Sequence, residues 1–547
     1  YLVNGGTISG PGTLQTQGAD VYVDIRGNGF SADFKVNTGK VRVNDASVAS
    51  AFFNGTVTID AGTTFAIQPG GYPVTLKNNL VNNGIITSNG GFLIMRGALL
   101  TNNDTIKGSY LYFDSTTSLA GTGAYTVNNI AVRSTGNVTL ANNLTFSPTP
   151  SFSVAAGGVL NPNTRTLTVN TGTFYAYSGS TVSNSGIFQT QGTVTMNVKS
   201  GSNFNAPFKV NTGTTTSNDD GSPFIADYKG SMTIDAGATL TTQGGGYSNR
   251  AYGTVTVNGT ITGNNFIMRG PSMINNGTIN PNNFQFDSTT TVTSTGTYSS
   301  STITIGGTGK VTLSSNVTFS PTSSFTITNG GIFEPGSKTF TFNSGSFIIN
   351  SGGVVSGVGP NAGILQTQNN VNFIFRNGSV FNSSVKVNSG NLNAYNDQSP
   401  YVGNYFGTIT VDAGAVFSTP GGGYTTVAYN SVTVNGTISI GSGAAFSMKG
   451  PSFTNNNSVT GTSLSFDSVT TVSGTGTYTP TYITIGGTGN LSLGNNVTFS
   501  PTSSFTVVGI LNPNTRTLTF NSGAFFVNNG GTVMSSGIFQ TQGSVSV

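Results

Sequence analysis

The sequence predicts an all-β protein, a single-stranded parallel β-helix (β-solenoid) with about 19 residues per rung. Three observations predict this fold: a long tandem repeat, a shorter apolar period inside it, and turn residues that interrupt every helix-length stretch. The motif Gln-Thr-Gln measures the long repeat. It begins at Gln15, Gln189, Gln366 and Gln540, with separations of 174, 177 and 174 residues. Self-similarity at a fixed period is the signature of solenoids and arrays.

The long repeat divides the chain into three tandem units of about 175 residues. The two ends of the chain fall at nearly the same phase of the repeat, so we expect one continuous solenoid. It would be a segment of a longer repeat polypeptide or a protomer that stacks end to end on identical chains. The predicted boundaries are 1–18 for the end of a preceding repeat, 19–192 for repeat 1, 193–369 for repeat 2, 370–543 for repeat 3 and 544–547 for the start of a next repeat.

Short apolar segments recur inside each repeat, and each is typical of a period-2 strand bounded by Gly, Asn, Asp or Pro. A sandwich of hairpins would also contain many short strands. Near-constant spacing and the alignment of neighbouring segments in the same direction favour parallel coiling instead. In repeat 1 the segments begin at Val57, Val74, Leu93, Leu111, Ile130, Leu167 and Phe188.

The composition argues for a folded chain with an uncharged polar surface. Only 7% of the residues are charged, against roughly 25% in ordinary globular proteins. A disordered polymer is the alternative, but such chains are poor in aromatic residues because they bury nothing. Here 37 Phe and 19 Tyr are present, and some recur at fixed repeat positions such as Phe113, Phe286 and Phe466.

The missing residue types exclude several kinds of site. The chain has no Cys and no His, which removes disulfides, thiol nucleophiles, the Ser-His-Asp arrangement and the commonest transition-metal ligand. The net charge is +4 and the basic residues are scattered singly, so we expect no nucleic-acid partner. No apolar run reaches the roughly 20 residues of a membrane span. We predict no catalytic, cofactor-binding or metal residues, although a structural cation such as calcium on turn carbonyls and single Asp residues stays open.

The recurring acidic residues are the place to look for an enzyme. One set lies in an Asp-Ala-Gly segment and favours a turn, because Asp stabilises turns through its own backbone. The second set follows about 54 residues later, nearly three rungs or roughly 14 Å away. That distance exceeds the roughly 5 to 9.5 Å between the paired carboxylates of glycosidases. The two sets are Asp60, Asp235 and Asp412, and Asp114, Asp287 and Asp467.

A tyrosine after a glycine turn, with a cation roughly one rung later, is the best repeated surface constellation. An aromatic face beside a cation could hold a sugar ring. The alternative is a stacked turn tyrosine and a cation whose aliphatic stem covers the surface. Irregular Thr-x-Thr pairs also suggest an ice-binding solenoid, but such a solenoid needs these pairs on successive rungs, and here they do not repeat rung by rung. The residues of the constellation are Tyr72, Tyr247, Tyr424, Arg96, Arg269 and Lys449.

The segments GTVTIDAG, NNGTI, VTVNGTI and LNPNTRTLTV, spread over essentially the whole chain, resemble large bacterial surface-exposed or secreted parallel β-helix repeat proteins. Filamentous-haemagglutinin-like adhesins, filaments and autotransporter passengers belong to this class. The resemblance implies export in an unfolded state and folding outside the cell. It carries over no catalytic residue.

Together these features predict a non-enzymatic extracellular structural protein that forms a stiff rod or filament on the bacterial cell surface. The expected partners are identical chains or further repeats of the same polypeptide. A stalk that binds cell-surface glycans is the alternative. A polysaccharide-degrading β-helix enzyme and an ice-binding solenoid rank below it.

Overall fold

The chain coils into a parallel β-solenoid of about 24 turns with about 21 residues each, which confirms the predicted fold class. Strands and turns make up the described residues, which contain no helix. Within them, no helix is therefore long and apolar enough to cross a bilayer. This computed structural model describes residues 2–4, 8–25, 29–44, 51–71, 73–219, 221, 224–357, 363–399, 401–534 and 536–546.

The chain divides into two compact units. Residues 1–270 with 276–281 form the N-terminal unit, and residues 271–275 with 282–547 form the C-terminal unit. The predicted boundary after residue 192 lies inside a ladder of the N-terminal unit, where Phe188 pairs with Phe208. The boundary after residue 369 likewise lies inside a ladder of the C-terminal unit, where Leu365 pairs with Val385.

In many turns three short strands make up one turn, and each strand pairs in parallel with its counterpart in the next turn. In other turns one long strand takes the place of two short ones: Ile85–Met95 pairs with both Thr64–Ile67 and Pro73–Leu76 of the preceding turn. Three consecutive turns of the N-terminal unit contain the strands Asn137–Leu140, Leu144–Phe146, Ser151–Val154, Val159–Asn161, Thr166–Val169, Gly172–Ala176, Thr181–Val182, Ile187–Thr190 and Thr193–Val198. Three turns of the C-terminal unit contain Val371–Phe375, Val380–Phe381, Ser384–Val387, Asn391–Asn396, Val402–Tyr405, Ile409–Val411, Val416–Thr419, Thr425–Ala428 and Val432–Val434.

The turn is about two residues longer than the sequence spacing indicated, because that spacing joined strands from different faces. Val57 pairs with Leu80, whereas Val74 pairs with Ala51 and with Leu93. Val57 and Val74 therefore belong to different ladders rather than to successive rungs of one ladder. A strand that follows on another face of the same turn carries the same apolar alternation, so periodicity alone does not separate the faces.

In most strands alternate side chains point inward, and they stack into columns that form the core. Aromatic rings dominate several columns. Phe174, for example, lies 5.2 Å from Phe152 and 4.5 Å from Phe188, measured between ring centroids. Such pairs contribute roughly 0.5–1.5 kcal/mol each beyond the burial of apolar area. The recurring residues Phe113, Phe286 and Phe466 are all fully buried.

Asparagine side chains continue the ladders at the turns. An asparagine at the same position of each repeat is fully buried and donates from its Nδ2 to a backbone carbonyl of the next turn. These bonds are Asn102 to Ala124 O at 3.1 Å, Asn275 to Thr297 O at 3.0 Å and Asn455 to Thr477 O at 2.9 Å. The asparagine that follows each of them bonds the Oδ1 of an asparagine in the preceding turn: Asn103 to Asn83 at 2.7 Å, Asn276 to Asn258 at 2.9 Å and Asn456 to Asn435 at 2.8 Å.

Candidate functional site

The Asp-Ala-Gly segments are turns, as the sequence indicated. Their glycines Gly62, Gly237 and Gly414 have φ angles of 75°, 77° and 79°, a region that favours glycine. The aspartate of each segment forms an ion pair with a lysine of the preceding turn, which the sequence reasoning missed. These pairs are Lys35–Asp60 at 3.0 Å, Lys209–Asp235 at 2.8 Å and Lys386–Asp412 at 3.2 Å.

The second set of aspartates is also held by neighbouring side chains. Asp114 binds two arginines: Arg96 at 3.2 Å on one carboxylate oxygen and Arg133 at 3.4 Å on the other. Asp467 accepts hydrogen bonds from the hydroxyls of Ser447 at 2.6 Å and Ser465 at 2.7 Å. Asp287 accepts one from Gln285 Nε2 at 3.0 Å. The acidic side chains thus serve as local structural partners in these turns.

The predicted cations lie beside aromatic or acidic side chains. Arg269 and Lys449, however, contact other tyrosines than the ones that the sequence paired with them. Arg96 pairs with Asp114, and the predicted Tyr72 lies outside the described residues. Arg269 Nη1 donates to the hydroxyl of Tyr252 at 3.1 Å, and its guanidinium lies 5.7 Å from that ring. Lys449 Nζ likewise lies 5.5 Å from the ring of Tyr429.

Each of these two tyrosines comes five residues after the tyrosine that the sequence singled out. The repeated Ala-Tyr dipeptide before Gly253 and Asn430 was the available signal.

The predicted tyrosines Tyr247 and Tyr424 instead contact aromatic residues of the preceding turn. Tyr247 packs edge-on against Phe224, with 5.2 Å between ring centroids. Tyr424 packs against Tyr401 at 5.4 Å. Phe224 and Tyr401 share an unusual backbone, with φ angles of 60° and 59°. A positive φ is a genuine outlier for a bulky side chain, and such outliers cluster at ligand sites and switches.

A third tyrosine extends this cluster in the C-terminal unit. Tyr395, at the end of the strand Asn391–Asn396, lies 5.5 Å from Tyr424 with an angle of 59° between the rings. Burial raises the pKa of its phenol, and the nearby Asp397 adds to the shift. Tyr395 and Tyr424 line an open cavity of about 380 Å³ together with Asn372, Asn393 and Pro420.

Comparisons of the chain with protein-family models, curated proteins and solved structures found no match. The cavity beside Tyr424 therefore has to be interpreted from its own geometry.

Within the described ranges, no group of three or more acidic side chains could hold a metal ion.

The same position in repeat 2 is built differently. Asn218 replaces Tyr395 and Gln243 replaces Pro420, and the Asn218 amide donates a hydrogen bond to the Gln243 side chain. The tyrosine pair Tyr401–Tyr424 thus has a counterpart in repeat 2, whereas the third tyrosine and the proline do not. Sequence reasoning missed Tyr395 and Tyr401 because they do not recur as tyrosines in the other repeats.

Proposed function

We propose that this chain is a non-enzymatic structural protein of the bacterial cell surface, a stiff rod or filament that spaces or connects other parts outside the cell. The repetition of structural contacts supports the proposal. Every repeat carries the same exterior Lys–Asp pair and the same buried asparagine that bonds the next turn. Repeats that preserve contacts between neighbouring turns suit a scaffold, because each repeat then continues the ladder of the one before it.

The observation that carries the proposal is the register of the pair Lys209–Asp235. Lys209 lies in a strand whose parallel partner immediately precedes Asp235 in the next turn, so the ion pair ties one turn to the next. The pairs of Lys35 and Lys386 occupy the same register. The same ion pair thus joins neighbouring turns in all three repeats.

Removal of one whole repeat tests the scaffold role. Deletion of residues 193–369 joins Gly192 to Asn370 at the same phase of the solenoid. The shortened chain should fold and lose about eight turns, or about 40 Å of rod at roughly 4.8 Å per turn. A matched control that deletes about half a turn from repeat 2 should fold poorly, because it places turn residues opposite strand residues and interrupts the ladders.

Length is measured by electron microscopy of the purified chains, and location by antibody labelling of intact and permeabilised source cells. Shortened rods together with labelling of intact cells support the proposal. A particle of unchanged length, or labelling only after permeabilisation, contradicts it. Hydrolysis of a polysaccharide by the purified chain would establish an enzyme instead.

A further inference from the structure

The cavity beside Tyr424 in repeat 3 combines aromatic walls with amide side chains. We propose that it is a binding site for an uncharged carbohydrate. This function goes beyond a scaffold role and does not depend on it. The lining residues are Asn372, Asn393, Tyr395, Pro420 and Tyr424. The volume of about 380 Å³ lies within the roughly 300–1,000 Å³ of small-molecule sites.

The tyrosines provide an angled aromatic wall. The rings of Tyr395 and Tyr424 meet at 59°, and Tyr401 packs edge-on against Tyr424 at 81°. The face of an aromatic ring carries negative potential, so it attracts the weakly positive C–H groups on the face of a sugar ring. Contacts of each ring with its neighbours hold it in place. The wall is therefore largely formed before a ligand arrives, which lowers the entropic cost of binding.

The asparagines provide oriented polar groups for hydroxyls. Asn393 Nδ2 donates to Asn372 Oδ1 at 3.2 Å, and Asn391 Nδ2 donates to Asn393 Oδ1 at 3.1 Å. Ser418 Oγ continues the line by donating to Asn391 Oδ1 at 2.8 Å. These bonds fix the direction of each amide. An amide side chain has two donors and an acceptor with two lone pairs, so these asparagines retain donors and acceptors for the hydroxyls of a ligand.

The charge around the cavity favours an uncharged ligand. Arg376 and Asp397, which is two residues beyond Tyr395, neutralise each other in an ion pair of 2.9 Å. Arg376 Nη1 also donates to Asn350 Oδ1 at 2.8 Å. The lining residues carry no formal charge at neutral pH. A site for an acidic glycan would offer an uncommitted cation instead, since anionic ligands are bound through charge-assisted hydrogen bonds.

Repeat 2 provides a natural control for the site. Its turn keeps the aromatic pair Phe224–Tyr247, but the Asn218–Gln243 hydrogen bond occupies the positions of Tyr395 and Pro420. Two asparagines that line the cavity also have no counterpart there: repeat 2 carries Thr195 at the position of Asn372 and Thr216 at the position of Asn393. Repeat 3 therefore differs from repeat 2 in the very side chains that line the cavity.

The test is binding of the full chain to immobilised neutral oligosaccharides, with cellohexaose, chitohexaose, xylohexaose and maltohexaose as probes. We expect at least one probe to bind. Tyr424→Ala should weaken its affinity about tenfold or more, as for an aromatic anchor at the centre of a site. The double variant Tyr395→Asn and Pro420→Gln should do the same, because it introduces the amide pair of repeat 2. Tyr247→Ala should leave affinity within about twofold.

Circular dichroism and the melting temperature report whether each variant folds, and the double variant is designed to keep the turn of repeat 2. Two outcomes overturn the proposal: no neutral probe binds, or Tyr247→Ala weakens binding as much as Tyr424→Ala. Retained affinity in a folded double variant also overturns it.

Discussion

Lys209 Nζ lies 2.8 Å from Asp235 Oδ2, and this ion pair joins two successive turns of the N-terminal unit. The same pair occurs in the first and third repeats. The side chains are about one third exposed, with 32% for Lys209 and 28% for Asp235. Solvent therefore screens the attraction, and the contribution of the pair is modest.

A double-mutant cycle measures this contribution. Lys209→Met and Asp235→Asn should show a coupling free energy of unfolding of about 0.2–1 kcal/mol. Denaturant unfolding at low salt and at about 1 M salt checks the value, which should fall as salt screens the charges. A coupling that stays unchanged in high salt would contradict an electrostatic origin.

The buried tyrosine Tyr405 has no hydrogen-bond partner for its hydroxyl among the described residues, whereas Tyr228 at the same repeat position bonds Ser217. Repeat 1 carries Phe53 at this position. We expect Tyr405→Phe to leave the free energy of unfolding unchanged or to raise it, because an unpaired buried hydroxyl costs about 1–3 kcal/mol. Tyr228→Phe should lower it by about 0.5–1.5 kcal/mol. Chemical unfolding of both variants checks the contrast, and an equal effect would refute it.

Alkaline pH should destabilise the fold through its interior tyrosines. Burial raises the pKa of Tyr125, Tyr228, Tyr298, Tyr405 and Tyr478. The folded pKa values lie above the unfolded value of about 10, so their stabilising contribution is complete below about pH 10 and is lost as the pH rises through the folded values.

A phenolate titration checks this prediction. The five buried tyrosines, out of 19 in the chain, should ionise only when the protein unfolds. The melting temperature should be insensitive to these tyrosines below about pH 9 and should fall as the pH rises above about 10. The variant Tyr405→Phe should reduce the slope of that fall. Ionisation of all tyrosines near pH 10 in the folded protein would contradict the buried positions.

Two glycines with nearly the same φ should differ in their tolerance of alanine. Gly237 has a φ of 77° and open space around an added Cβ, so Gly237→Ala should cost only the backbone strain of about 1–2 kcal/mol. Gly213 has a φ of 73°, and an added Cβ would lie 2.3 Å from the carbonyl oxygen of Gly192. Gly213→Ala should cost about 3 kcal/mol or more, because the overlap involves backbone. Thermal unfolding of the two variants checks the order, and equal losses would contradict the close approach of the turns.

The fold could be predicted from the sequence because tandem repetition and short bounded apolar segments leave few alternatives. The number of residues in a turn was harder to predict from the sequence. Val57 and Val74 have the same local pattern, and only their pairing with Leu80 and Leu93 assigns them to different ladders.

The candidate site was only partly predictable, for a related reason. Comparison of the repeats selects residues that recur, such as Tyr247 and Tyr424. The cavity depends on residues that do not recur, such as Tyr395 and Pro420. The cations were expected one rung away from Tyr247 and Tyr424, but the path of the strands brings Arg269 to Tyr252 and Lys449 to Tyr429. A local spacing does not reveal which side chains meet across a turn.

Electron cryo-microscopy of the native material, taken from the cell surface without denaturant, tests the central claim most directly. We predict rods or filaments with density layers about 4.8 Å apart along the axis, in which each turn pairs in parallel with the next. A compact particle without such layers, or absence of the chain from surface material, would contradict the proposal that this protein is an extracellular β-solenoid scaffold.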